Sequence, residues 1–192
     1  MSGKAVLSTP VLKAASASYS SIKLTWGKVE GASGYVIYRS KSKNGSYTAI
    51  KTLAGGAYTS YTNTGLTTGT GYYYKIKAYR GSYYSTSSAA ASAVPTLSKP
   101  PTPSVSKASN GYVKVKWKGI SGETGYQIYR AKSKNGKYTK VKSVKMASSK
   151  YPYAKIKAAK KKTYYYKVRA YKKVGSKTVY SQFSKVKAYK LK

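Results

Sequence analysis

Residues 34–47 read Gly34-Tyr35-Val36-Ile37-Tyr38-Arg39-Ser40-Lys41-Ser42-Lys43-Asn44-Gly45-Ser46-Tyr47, and residues 125–138 read Gly125-Tyr126-Gln127-Ile128-Tyr129-Arg130-Ala131-Lys132-Ser133-Lys134-Asn135-Gly136-Lys137-Tyr138. The same offset of 91 carries Trp26 onto Trp117. Tyr72-Tyr73-Tyr74-Lys75-Ile76-Lys77-Ala78-Tyr79 recurs as Tyr164-Tyr165-Tyr166-Lys167-Val168-Arg169-Ala170-Tyr171 at an offset of 92, so one residue is inserted between the two matches. A repeat of this length sets the organisation of the whole chain. The 192 residues are two copies of one module, residues 1–96 and 97–192. Between the copies, Val94-Pro95-Thr96-Leu97-Ser98-Lys99-Pro100-Pro101-Thr102-Pro103 holds four prolines in ten residues. This predicts a stiff, extended connector that keeps the modules end to end.

Working outward from the repeat, the hydrophobic period is 2. Ile22, Leu24 and Trp26 alternate with Lys23 and Thr25, and Val113, Val115 and Trp117 alternate with Lys114, Lys116 and Lys118. This alternation builds strands with one buried and one wet face. Tyr72, Tyr74, Tyr164 and Tyr166 are expected to point inward on the same argument. Asn44-Gly45 and Asn135-Gly136 are expected to form turns with positive φ. Six or seven short strands per copy, with no 3.6-residue period, predict an all-β fold of two immunoglobulin-like sandwiches.

The order x-Leu-x-Trp, Gly-Tyr-x-Ile-Tyr-Arg, Leu-x-x-Gly-x-x-Tyr, Tyr-Lys-x-x-Ala-Tyr and a Ser-rich last strand resembles the fibronectin type III domain, twice over. The wording resembles copies in surface and secreted proteins of Gram-positive, clostridia-like bacteria. The resemblance implies that Trp26 and Trp117 sit in the core on the second strand. It also implies a tyrosine corner at Leu66, Gly69 and Tyr72, in which the hydroxyl bonds back to nearby backbone. The second copy keeps Tyr164 but has Ala158 and Lys161 for the Leu and Gly, with Ile156 a candidate to replace the Leu through a shifted loop. The Arg-Gly-Asp tripeptide of animal adhesion modules is absent, so integrin binding is not implied.

Composition then removes most chemistry. His and Cys are absent, and Glu30 and Glu123 are the only acidic residues. Imidazole and thiolate metal ligands, Ser-His-Asp and Cys-His sites and disulfides are therefore excluded. The two glutamates lie in different copies, which leaves no carboxylate pair at the roughly 5–10 Å that hydrolytic chemistry needs. A non-enzyme without metal or cofactor is expected. No apolar run reaches the ~18 residues of a transmembrane helix. Residues 1–8 lack the apolar stretch of a signal peptide, so the chain either stays inside its cell or is a piece of a longer exported protein.

The positive charge is unevenly spread. Lys and Arg number 38, for a net charge of +36. Residues 1–95 hold eleven Lys and Arg against Glu30, a net +10, and residues 100–192 hold 26 against Glu123, a net +25. Solvated edge lysines that block aggregation account for individual positions, but a merely soluble surface mixes both signs. Candidate polyanion-binding residues are Lys114, Lys116 and Lys118 on one sheet, Lys167 and Arg169 on the other, and the loop Lys160-Lys161-Lys162. Tyr129, Tyr165 and Tyr171, with their counterparts Tyr38, Tyr73 and Tyr79, are candidates to stack on a sugar or base.

Three functions fit. The first is a non-catalytic adhesion or spacer module of a larger bacterial surface or secreted protein, located outside the cell, which binds teichoic acid or acidic glycans by charge. The second is a bacteriophage virion decoration or fibre protein. The third is a non-specific nucleic-acid binder, with strongly salt-dependent affinity but no recognition motif.

Overall fold

The computed structural model describes residues 6–146 and 149–192. The start of the chain, Met1–Ala5, which carries most of the sequence read for a signal peptide, lies outside it. The described chain forms two compact units, Met1–Thr96 and Leu97–Lys192. No helix forms among the described residues, and none is long and apolar enough to cross a membrane.

In the first unit, β1 (Leu12–Ser18), β2 (Ser21–Trp26) and β5 (Ser60–Asn63) make a sheet in the order β1-β2-β5. The opposing sheet runs β4 (Thr48–Ala54), β3 (Gly34–Ser40), β6 (Tyr72–Arg80), β7 (Tyr83–Tyr84), with β8 (Ala91–Ala93) also paired to β6. The second unit repeats this order. Its three-stranded sheet holds β9 (Ser104–Lys107), β10 (Tyr112–Lys116) and β13 (Tyr153–Lys157). Its larger sheet holds β11 (Gly125–Ala131), β12 (Thr139–Lys145), β14 (Thr163–Val174), β15 (Lys177–Tyr180) and β16 (Lys187–Lys190). All described pairings are antiparallel.

The alternating residues close the two cores. Ile22, Leu24, Tyr35, Ile37, Tyr74 and Ile76 are fully buried in the first, and Val115, Ile128, Tyr166 and Val168 in the second. Trp26 and Trp117 retain 5% and 2% exposure. Each indole packs on the tyrosine of the Gly-Tyr pair, Trp26 on Tyr35 at 5.3 Å and Trp117 on Tyr126 at 5.2 Å between ring centroids. The glycine of that pair has a packing reason. A Cβ on Gly125 would enter the Val144 carbonyl and lie 2.8 Å from the Tyr171 hydroxyl, and Gly34 is covered in the same way by Tyr79. Overpacking of this kind costs roughly 1–3 kcal/mol.

The last strand of each sandwich is broken in two, and serines explain the break. Ser85 and Ser88 each donate a backbone N–H to β6, to the carbonyls of Ala78 (2.9 Å) and Ile76 (3.0 Å). Their hydroxyls accept the N–H groups of Ala78 (3.0 Å) and Ile76 (3.1 Å). The hydroxyls thus replace carbonyls that a regular strand would supply, so the N–H groups of Ala78 and Ile76 keep a partner. Ser181 and Ser184 do the same for Ala170 and Val168.

Several expectations need correction. Gly45 and Gly136 do not have positive φ; that conformation falls on Asn110 (φ 56°) and Gly111 (φ 74°) between β9 and β10. Gly136 instead lies close under the Ser133 hydroxyl, which a Cβ there would displace. At the first tyrosine corner, Tyr72 accepts the Thr67 N–H at 3.1 Å. In the second, Ala158 occupies the place of Leu66, since both donate backbone N–H across to the loop before the second strand, to Gly111 and Ser20. Ile156 stands elsewhere, opposite Val113 in β13, where the first unit has Asn63 opposite Ile22. Lys161 keeps the left-handed backbone of Gly69, with φ of 60° against 78°, at a cost of about 1–2 kcal/mol for a residue with a Cβ.

Candidate polyanion-binding face

The structure divides the basic residues read from the sequence among three places. Lys114 and Lys116 lie on the three-stranded sheet of the second sandwich with Lys118 just past the end of β10, Lys167 and Arg169 on the opposite sheet, and Lys160, Lys161 and Lys162 in the turn between β13 and β14. They do not form one site.

On the larger sheet, cross-strand register places Tyr129 opposite Lys167, Gln127 opposite Arg169 and Gly125 opposite Tyr171. The cations there are already engaged. Lys167 Nζ lies 4.1 Å from the Tyr138 ring and 4.2 Å from Phe183. The Arg169 guanidinium lies 3.8 Å from Tyr180 and 5.1 Å from Phe183. Arg169 also donates to Gln127 Oε1 from Nε (3.0 Å) and Nη2 (2.9 Å), and to the Tyr129 hydroxyl from Nη2 (2.8 Å). Ring and cation therefore alternate from Tyr138 to Tyr180. Each such contact is worth about 0.5–2 kcal/mol. Tyr129 is further fixed by an edge-to-face contact with Phe183 at 4.9 Å, and Tyr171 is spread over Gly125. Tyr165 is half-buried opposite Ala131. In the first sandwich Lys75 rests on Tyr47 at 4.6 Å, but Val36 and Lys77 stand where Gln127 and Arg169 do, and no such ladder is built.

The three-stranded face is different. Its solvent side shows Tyr112 and Lys157 opposite one another, then Lys114 and Lys155, then Lys116 and Tyr153, with Ser106 and Ser104 alongside on β9. Residues two apart on a strand are about 6.8 Å apart and neighbouring strands about 4.8 Å, so this is a dense cationic grid. Lys114 Nζ lies 4.3 Å from the Tyr153 ring and Lys116 Nζ 4.9 Å from Tyr151. Tyr153 and Tyr151 remain 50% and 46% exposed. The same face of the first sandwich carries Lys13, Lys23, Thr25, Ser60 and Thr62, two cations and no aromatic ring.

No surface acid in the second sandwich compensates this grid. Its single acidic side chain, Glu123, is turned inward, and its Oε1 accepts the Tyr126 hydroxyl at 2.8 Å. The described ion pair of the chain, Lys28 with Glu30 at 3.6 Å, lies in the first unit. Sequence reasoning missed Tyr112, Tyr151, Tyr153, Lys155 and Lys157 as members of the face. Their signal was the alternation Tyr153-Ala154-Lys155-Ile156-Lys157, which marks a strand whose wet side is basic.

The buried tyrosines shape the pH response. Burial pushes the Tyr74 hydroxyl up to about 12, partly opposed by Arg39. Burial, with the Glu123 carboxylate adding to it, raises Tyr126 well above the ordinary tyrosine range. Burial also raises Tyr166, against the pull of Arg130. The folded state thus favours the neutral phenol, whereas the unfolded chain ionises near 10. For Tyr74 this contribution to stability is complete below pH 10 and is lost as pH rises through about 12, and burial of Tyr126 and Tyr166 acts in the same direction. Phenolate absorbance from Tyr74, Tyr126 and Tyr166 is expected to develop only together with loss of near-ultraviolet circular dichroism. Ionisation of the full set of tyrosines with tertiary structure intact would contradict the burial.

Residues 9–94 match the Fibronectin type III domain family. The match covers the first sandwich, which has the fibronectin type III fold. Both sandwiches together align with the two fibronectin type III domain segment from chicken tenascin, covering 95% of this chain and 99% of that one at 18% identity and a TM-score of 0.58, which shows the shared fold. A Fn3-like protein from Clostridium thermocellum is 33% identical over 49% of this chain and 97% of its own length, with a TM-score of 0.43. A β-1,2-glucanase from Parabacteroides distasonis matches at 27% identity and a TM-score of 0.44 over 49% of this chain, but only 13% of the glucanase is covered. No curated protein matches the chain. The fibronectin type III fold fits a non-catalytic module of larger proteins.

Proposed function

We propose that the chain is a non-catalytic adhesion or spacer module of a larger bacterial surface or secreted protein. In this reading it acts outside the cell, where its second sandwich anchors it to anionic polymers such as teichoic acid or acidic glycans. One observation carries the reading: Lys114 stands directly across from Lys155 on an exposed face whose sandwich has no surface acid. Like charges in direct cross-strand register destabilise a sheet. A bound polyanion relieves that repulsion and releases its own condensed counterions. The opposite face is the weaker contact, because Arg169 has its donors engaged and Lys167 rests on aromatic rings.

The test is the full chain with Lys114, Lys116, Lys155 and Lys157 all changed to Gln. At about 1 kcal/mol per lysine near an anionic surface, affinity for teichoic acid is expected to fall by about two to three orders of magnitude. Unchanged affinity would remove this face from the function.

A further inference from the structure

Beside Trp117 the second sandwich has a shallow depression lined by Pro101, Ser104, Lys116, Trp117, Lys118 and Tyr151. The backbone holds Tyr151 in place from both sides. Trp117 N–H donates to the Pro152 carbonyl at 3.1 Å, and Gly119 N–H to the Lys150 carbonyl at 3.0 Å. The phenol ring is therefore presented from backbone pinned between the end of β10 and the start of β13, with Lys116 Nζ 4.9 Å and Lys150 Nζ 6.0 Å from its centroid.

The first sandwich has a depression at the same place, lined by Val11, Lys13, Thr25, Trp26 and Gly27. Thr25 and Gly27 stand there where Lys116 and Lys118 stand in the second. Trp26 N–H bonds to Thr59 as Trp117 N–H bonds to Pro152, which makes Tyr58 the counterpart of Tyr151. Tyr58, however, lies over Gly55 and does not line the depression. The combination of two cations and a presented ring belongs to the second sandwich.

We infer that this depression is a subsite for one acidic pyranose unit, a uronate or a sulfated sugar, within an anionic polysaccharide. The assignment rests on the polyanion reading above and narrows it to polymers that carry sugar rings. An acidic pyranose has an apolar C–H face and a charged edge. The exposed Tyr151 ring suits the former, Lys116 and Lys118 the latter, and the Ser104 hydroxyl is available to a ring hydroxyl. A bare phosphate chain has nothing to place on the ring.

The experiment titrates the full chain with polygalacturonate, with linear polyphosphate of matched charge and with single-stranded DNA, at low and physiological salt. Tyr151→Ala is expected to weaken polygalacturonate binding about tenfold, the scale of one stacking contact, and to leave polyphosphate within twofold. Tyr151→Phe is expected to restore most of the loss, and Tyr58→Ala to change nothing. Because Tyr151 is half-exposed, circular dichroism of Tyr151→Ala is expected to match the parent. If Tyr151→Ala leaves polygalacturonate unaffected, or polyphosphate loses as much, the subsite is refuted while charge-driven anchoring stands. If none of the three polymers binds at low salt, the anchoring reading falls as well. A Tyr151-dependent preference for single-stranded DNA would overturn the sugar assignment in favour of base stacking.

Discussion

Trp117→Ala is expected to destabilise the second sandwich by about 3–5 kcal/mol, the range for a buried large aromatic. The indole is 2% exposed and sits against Tyr126. Its loss removes the transfer energy of the ring and leaves a cavity beside the buried Tyr126. Domains of this size are stable by only about 5–15 kcal/mol, and each kcal/mol shifts the midpoint by about 4–8 °C. Calorimetry is therefore expected to show one transition lowered by about 12–40 °C, and the transition of the Trp26-containing sandwich in place. Trp117→Phe is expected to keep most of the stability, because the indole N–H has no hydrogen-bond partner to lose. If the transition of the Trp117-containing sandwich stays where it is in Trp117→Ala, the packing described here is contradicted.

Binding of anionic polymers is expected to be about 100-fold tighter for the second sandwich than for the first at physiological salt. The estimate comes from the three-stranded faces, with Lys114, Lys116, Lys155 and Lys157 against Lys13 and Lys23. At about 1 kcal/mol per cation near an anionic surface, two more lysines and the neighbouring Lys118 give about two orders of magnitude. The whole difference of +25 against +10 does not enter, because the Debye length is about 8 Å and lysines on other faces are screened. Exposed rings beside the lysines add contact area that salt does not weaken. Affinity is accordingly expected to fall steeply with salt for phosphate polymers and less steeply for polysaccharides.

The fold was legible because the repeat and the period-2 alternation are encoded residue by residue. Trp26 and Trp117, the Gly-Tyr pairs and the inward Tyr74 and Tyr166 follow from that period. What the alternation does not reveal is which half-buried side chains satisfy one another. Lys167, Arg169 and Tyr129 read as a binding face because they alternate with core residues. Phe183, displaced onto them by the strand break at Ser181 and Ser184, converts them into an internal ladder. That contact joins β14 to the segment between β15 and β16 and leaves no local pattern. Lys161 was hidden for a related reason, since its left-handed backbone is imposed by the turn and opposes its own preference. The basic strand Tyr153–Lys157 carried a readable signal, but its place beside β10 is a matter of pairing, which only the structure supplies.

The measurement that tests the central claim most directly is a titration of residues 1–96 and residues 97–192, expressed separately and checked for folding. Each is titrated with teichoic acid from low to physiological salt and beyond. The account predicts much tighter binding by residues 97–192, with a plot of log affinity against log salt steeper by roughly two to three, close to one per additional lysine contact. Equal affinities and equal slopes for the two halves would contradict it.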